Sequence, residues 1–296
     1  MNFDKIYTYF KVYVTERHKK QSSDTIKYDF ENHILPYFKC YDINKITKLD
    51  IINWQNEILK QNYSNNFNFK LFYTFSLFMN YCVSCSYIER NILKDVSSFP
   101  KKIEIKTHNV YTLKQFRKFR RFLDNFIIKH FFNFMYFYGT RPSEAMALRF
   151  TDIKGCYIRI IHSIERHGKR TISTPKNQSS IRVFKISLLM LFRIYLLKKY
   201  YIKKYGVFDS NYFIFGGLKP LAPTTIDRYK KKAYIRAKLP KITQHEFRHS
   251  YATRMIHSKK PIDFVSRSMG HSRVSTTLDV YLHQEKNVLN TFLTEN

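Results

Sequence analysis

Residues 245–249 read His-Glu-Phe-Arg-His. As a string this is H-E-x-x-H, in which two histidines one helical turn apart hold zinc and the glutamate acts as general base. The same residues contain a second arrangement. His245 and Arg248 stand three apart, on one face of a helix, and suit an anionic phosphate. The zinc reading needs a third ligand. In the spacing H-E-x-x-H-x-x-G-x-x-H, Ala252 occupies the glycine place and Met255 the last histidine, and Glu285 lies far along the chain. Thr243 and Glu246 also form T-x-x-E, a capping box that starts a helix. That gives Glu246 a structural task and sets His245 at the positive end of a helix, where an anion is favoured.

Elements must bring other groups to this pair. Residues 1–97 carry apolar and aromatic residues at helical spacing in "FDKIYTYFKVYVTER", "DTIKYDFENHILPYF", "TKLDIINWQNEILKQ" and "NFKLFYTFSLFMNYCVSC". Thr47 and Asp50 suit a helix start before "IINWQ". Over 98–109 the period is lost amid Ser98, Pro100 and a basic cluster, which reads as a linker. From 110 to 296 a second domain follows. It opens with two helical patterns and a helix begun by Pro142. From Tyr157, "YIRIIHSI", "KRTIST" and "SIRVFKIS" alternate like short antiparallel strands. Helical periods return from Leu188. Pro261 can begin a short helix that Gly270 ends.

Composition narrows the chemistry. The chain has 52 Lys+Arg against 22 Asp+Glu, a net charge of +30. Such an excess is tolerable in a protein that works against a polyanion, and nucleic acid fits best. No segment supports a signal peptide or a bilayer span. The most apolar run is short and broken by Lys129, His130 and Asn133. Four cysteines form no disulfide framework, so a reducing cytoplasm is expected. Cys82 and Cys85 read as two small buried residues on a core helix, since no second pair completes a zinc site.

Four separated motifs then agree: "YGTRPSEAMALRFTDI", "TPKNQSSIRVFKI", "HEFRHSYAT" and "MGHSRVSTTLDVYLH". In that order they resemble the tyrosine recombinases, or phage-type integrases, over roughly residues 108–284. The N-terminal helices resemble that family's core-binding domain in pattern and position. The chemistry is consistent. Breaking a DNA phosphodiester without water or metal needs a protein nucleophile, cations at the phosphate and a proton donor for the leaving oxygen. Arg141, at a helix start, can clamp two phosphate oxygens. The resemblance makes Arg248 the second clamp, Lys176 the acid for the 5′ oxygen, and His271 a phosphate hydrogen-bonder on a turn. Lys169 and Lys185 compete with Lys176, whose Thr-Pro-Lys context and following Ser180-x-Arg182 favour it. His245 can take the tyrosine proton or bond a phosphate oxygen. Tyr281, one of 23 tyrosines, is selected only by its place ten residues after His271, where the family has its nucleophile. Glu144 either supports Arg141 or is a solvated helix charge.

The expected fold is mainly α with a small antiparallel β-sheet: a helical, SAM-like core-DNA-binding domain (1–97) and an α+β catalytic domain (110–296) with a C-terminal tail helix. The tail carries Val288, Leu289 and Phe292 and packs in cis or on a neighbour. The resemblance implies a site-specific recombinase or integrase that needs no metal or cofactor. It implies double-stranded DNA with an inverted-repeat core site, two protomers per site and a homotetramer at synapsis, with accessory DNA-bending proteins as further partners. A cytoplasmic, nucleoid-associated protein of prokaryotic, phage or mobile-element origin is expected. The chain begins too late for the arm-binding domain that phage-type integrases often carry. A Xer-like chromosome or plasmid resolvase, a type IB topoisomerase and a catalytically silent DNA-binding protein are the alternatives.

Overall fold

The computed structural model describes residues 2–100, 109–164, 172–173 and 181–270. The chain divides into two compact units, Met1–Ile105 and Lys106–Asn296. The first unit is helical: α1 (Phe3–Arg17), α2 (Lys20–His33), α3 (Leu35–Phe38), α4 (Lys48–Lys60) and α5 (Asn65–Ser84), with 3-10 turns at Ile43–Lys45 and Ile92–Asp95. The stretch expected as one helix over "DTIKYDFENHILPYF" breaks at Ile34, because Pro36 has no N–H to continue the ladder. Thr47 and Asp50 form a complete capping box on α4. The core is built from aromatic rings. Phe30, Phe38, Phe75 and Phe78 meet around Phe3, and Phe38 and Phe75 also touch Trp54, whose Nε1 donates to the His33 carbonyl at 2.8 Å. Cys82 is buried here, but Cys85 is exposed as the residue that ends α5. The expectation of two buried thiols is corrected for the second. Of the stretch read as a linker, Phe99 is buried against Trp54, and 101–108 lie outside the described residues.

The second unit is mostly helical as well: α6 (Leu113–Arg121), α7 (Phe126–Tyr138), α8 (Pro142–Ala147), α9 (Leu188–Tyr205), α10 (Pro223–Arg236), α11 (Gln244–His257) and α12 (Ile262–Met269). A three-stranded antiparallel sheet has the order β1 (Ile153–Lys154), β2 (Tyr157–Ile160), β5 (Arg182–Lys185), and β3 (Ser163–Ile164) pairs with β4 (Ile172–Ser173). The first strand, β1, begins before Tyr157. Two residues are too few to show alternation, so only its pairing with β2 reveals it.

Helix α7 is the centre of this unit. Phe131, Phe132, Phe134, Met135 and Tyr136 are all buried, so the helix is apolar on nearly every side and is enclosed by its neighbours. Helix α11 docks on it through Phe247, whose ring lies 4.7 Å from Phe132 and 5.2 Å from Phe119. That packing fixes which face of α11 turns toward the end of α7. Among the described residues, no helix is long and apolar enough to cross a membrane.

Candidate active site

The site forms where α7 ends. Gly139 ends the helix in the left-handed region at φ 62°, and its N–H donates to the Met135 carbonyl at 2.9 Å. A side chain cannot be placed here. A Cβ on Gly139 would lie 2.7 Å from Tyr251 Cγ and closer still to its Cδ1. The chain therefore crosses the face of the Tyr251 ring and turns the Gly139 carbonyl toward α11. Arg248 Nη1 donates to that carbonyl at 2.8 Å. Arg248 is only 4% exposed. Burial, and next the positive charge of Arg141, push its guanidinium down to about 9, so it is still a cation at neutral pH.

Arg141 precedes Pro142, the first residue of α8. Its backbone N–H donates to Glu144 Oε2 at 2.8 Å and its Nη1 to Glu144 Oε1 at 2.7 Å. Its Nη2 donates to the carbonyl of Gly270, at the end of α12, at 2.9 Å. Glu144 is 2% exposed, so it is a buried ion-pair partner and not a solvated helix charge. Burial alone would raise its carboxyl. The hydrogen bonds and charge of Arg182, then the charges of Arg141 and Arg248, outweigh burial and hold it below the usual carboxylate range.

His245 lies in the first turn of α11 and is exposed, one turn before the buried Arg248. The helix starts as its capping box dictates: Glu246 N donates to Thr243 Oγ1 at 3.2 Å, and Thr243 N donates back to Glu246 Oε2. Glu246 Oε1 accepts the Asn109 N–H at 2.9 Å. Both carboxylate oxygens thus serve the backbone, which is incompatible with the general base of a zinc protease. Among the described residues, no group of three or more His, Cys, Asp or Glu side chains could hold a metal ion. Lys176, His271 and Tyr281 lie outside the described residues.

The chemical character of the centre is plain from the charges. Three guanidinium groups, Arg141, Arg182 and Arg248, act on one carboxylate. Beside Gly139, Arg248 Nη2 and Thr140 Oγ1 are buried polar atoms with no hydrogen-bond partner among the described residues. Buried donors are normally satisfied, and an unmet cationic donor beside an excess of positive charge favours an anion.

Three contributors were not singled out from the sequence. Gly139 appears there only as a residue before Arg141. Arg182 appears only as context for Lys176, yet its inward alternation with Phe184 on β5 was a usable signal. Arg254 lies over the rings of Phe137 and Tyr136 at 4.8 and 5.0 Å, and its Nη2 donates to the carbonyls of both residues at 3.3 Å. It thereby closes the carboxyl end of α7.

The phage integrase family matches residues 109–287, and the phage integrase N-terminal SAM-like domain matches residues 3–59. The ICEBs1 integrase of Bacillus subtilis (strain 168) is 27% identical over 272 residues, covering 87% of this chain and 72% of its own. The Tn1549 transposon integrase in complex with transposon right-end DNA superposes with a TM-score of 0.75 at 18% identity, over 95% of both chains. A lambda integrase dimer bound to a core site superposes with a TM-score of 0.73 at 13% identity, again over 95% of both chains. These structures share the fold. The chain belongs to the phage integrase family and is a tyrosine recombinase.

Proposed function

We propose that the protein is the integrase of a mobile element, cutting and rejoining DNA at a core site through Tyr281. The observation that carries this is the buried Arg248, with Nη1 fixed to Gly139 and Nη2 without a partner among the described residues, next to the Glu144-anchored Arg141. Two guanidinium charges that act on the same carboxylate suit the non-bridging oxygens of a phosphodiester, where negative charge builds as a fifth oxygen approaches. In the proposed reaction the Tyr281 oxygen attacks phosphorus and its proton leaves toward His245. The bond to the 5′ oxygen breaks, and Lys176 protonates that oxygen. His271 donates to a phosphate oxygen. The 3′-phosphotyrosine link conserves the bond energy, so a 5′-hydroxyl from another strand can reseal the DNA by the reverse steps.

Relatives favour the mobile-element role. The ICEBs1 relative is an integrase, the Tn1549 structure is a transposon integrase, and the lambda integrase structure is a dimer on a core site. By extension, this chain would bind double-stranded DNA with an inverted-repeat core, two protomers to a site and four at synapsis, in the cytoplasm of its host. The deciding experiment uses a nicked suicide substrate carrying the end junctions of the DNA that encodes the protein. Wild type should form a covalent adduct and Tyr281→Phe none. Adduct with both proteins would overturn the nucleophile assignment. Specific binding without any adduct would leave a catalytically silent DNA-binding protein.

A further inference from the structure

The ion-pair network extends beyond the groups that the proposed reaction uses. Arg182, the first residue of β5, has its side chain 8% exposed. Its Nη1 and Nη2 donate to Glu144 Oε1 and Oε2 at 3.2 and 2.8 Å, a two-pronged fork on one carboxylate. Its Nε donates to the Ser268 carbonyl in the last turn of α12 at 2.9 Å. Arg141 reaches the same groups with its backbone N–H and its Nη1 on Glu144 and its Nη2 on the Gly270 carbonyl. Each arginine thus ties Glu144 to the end of α12. Ser268 also takes the Tyr251 hydroxyl on its Oγ at 3.0 Å, which brings in the helix that carries Arg248. The side chain of Arg141 is 31% exposed, whereas that of Arg182 is almost wholly enclosed. One cation faces outward and the other stands behind it.

From this geometry we propose that Arg182 is a positioning residue for phosphodiester cleavage: it never touches DNA, but holds Glu144 so that Arg141 is anchored and still presents its charge outward. The proposal rests on the reading that Arg141 binds the scissile phosphate. Its physical basis is a competition for one carboxylate. If Arg141 were its sole forked partner, Glu144 would be free to turn fully onto Arg141 and quench the charge meant for the phosphate. With Arg182 holding both oxygens, the carboxylate is shared and the centre keeps a positive surplus. The arrangement also links three segments that must agree. Strand β5 follows the stretch that contains Lys176, α8 follows Arg141, and α12 ends two residues before His271.

Protonation of Glu144 separates this role from simple structural support. The charges that act on Glu144 are Arg182 from β5, Arg141 from the start of its own helix and Arg248 from α11; α12 contributes the Ser268 and Gly270 carbonyls that hold the arginines. Burial opposes ionisation and Arg182 is the largest force favouring it, so losing Arg182 lets burial raise the carboxyl. A protonated Glu144 no longer anchors Arg141.

The test uses the full chain, a nicked suicide substrate and single-turnover adduct formation across pH, for wild type, Arg182→Met, Arg182→Lys, Glu144→Gln and the double variant Arg182→Met/Glu144→Gln. Arg182→Met should cleave roughly 10–100-fold more slowly at unchanged DNA affinity, the scale of a small misplacement at a reacting centre. Its rate should show an added fall as pH is lowered, a limb beyond any that wild type shows. The double variant should lose that limb, because glutamine does not titrate. Arg182→Lys, which keeps the charge but not the fork, should be slow without the limb. Wild-type rates in Arg182→Met would overturn the proposal. So would a fall in rate that tracks DNA affinity and thermal stability with an unchanged pH profile. If wild type forms no adduct, the functional reading fails. The Glu144 carboxyl, followed by carbon-13 NMR and assigned by its loss in Glu144→Gln, still decides the claim: it must titrate at higher pH in Arg182→Met than in wild type.

Discussion

Replacing Gly139 with alanine tests the turn on which both site arginines depend. Two costs add. A left-handed backbone costs a residue with a Cβ about 1–2 kcal/mol. A methyl pressed to 2.7 Å from Tyr251 Cγ overpacks a ring held in the α7–α11 interface, adding about 1–3 kcal/mol. Gly139→Ala should therefore destabilise the second unit by roughly 2–5 kcal/mol. The assay is urea unfolding followed by far-ultraviolet circular dichroism, together with hydrogen exchange over residues 126–147. The single tryptophan, Trp54, lies in the first unit, so its fluorescence is the wrong probe. A second substitution divides the two costs. In a Tyr251→Ala background the Cγ and the ring are gone but the backbone strain stays, so Gly139→Ala should cost about 1–3 kcal/mol less there. Full additivity would refute the close approach and place the cost in the backbone. A single variant within about 0.5 kcal/mol of wild type would refute both terms.

Three further outcomes are expected. Arg248→Lys keeps the charge but cannot bond Gly139 and a phosphate oxygen together, so cleavage should drop by about 10²–10³-fold while DNA affinity, read by gel shift, changes little. Thr243→Ala removes the hydroxyl that accepts Glu246 N and should cost about 0.5–2 kcal/mol in urea unfolding. His130 has its imidazole pushed down to about 4 by burial and then by the charges of Arg193, Arg120 and Lys129. Its unfolded-state value is near 6.5, so its share of stability is complete above that pH and is lost as pH falls through the folded value. His130→Phe should flatten the stability–pH curve between about 6.5 and 4, a span worth about 3 kcal/mol.

The helices were legible because period, caps and proline all speak locally. T-x-x-E at Thr243 and Glu246 is a structural motif as well as a string, and Pro142 and Gly270 sit at the helix ends expected of them. Arg141, His245 and Arg248 could be nominated because their motif context is specific. Depth was not legible. His245 and Arg248 share a helix face by spacing, yet one is exposed and the other buried. In a chain with 52 basic residues, alternation with Phe184 turns Arg182 inward, but nothing local shows that it is enclosed behind Glu144. Glu144 was left open for the same reason: its second partner lies 38 residues away on a strand. Gly139 was equally opaque, since its need for hydrogen in place of a side chain comes from Tyr251 on another helix.

The span of the contacts around Arg141 bears on how the protein is made. Arg141 bonds Gly270 across 129 residues, Asn109 bonds Glu246 across 137, and Tyr111 bonds Ser250 across 139. A ribosome adding about 5–20 residues per second needs roughly 6–26 s to deliver Gly270 after Arg141. During that interval α7 lacks the α11 face that covers it, so a large apolar helix awaits its cover while the chain lengthens. Such distant closures fold slowly and make the nascent chain a client for chaperones. They also act as a safeguard. A polypeptide stopped before α12 cannot tie Arg141 to the Gly270 carbonyl, so an interrupted translation product does not carry an assembled DNA-breaking centre.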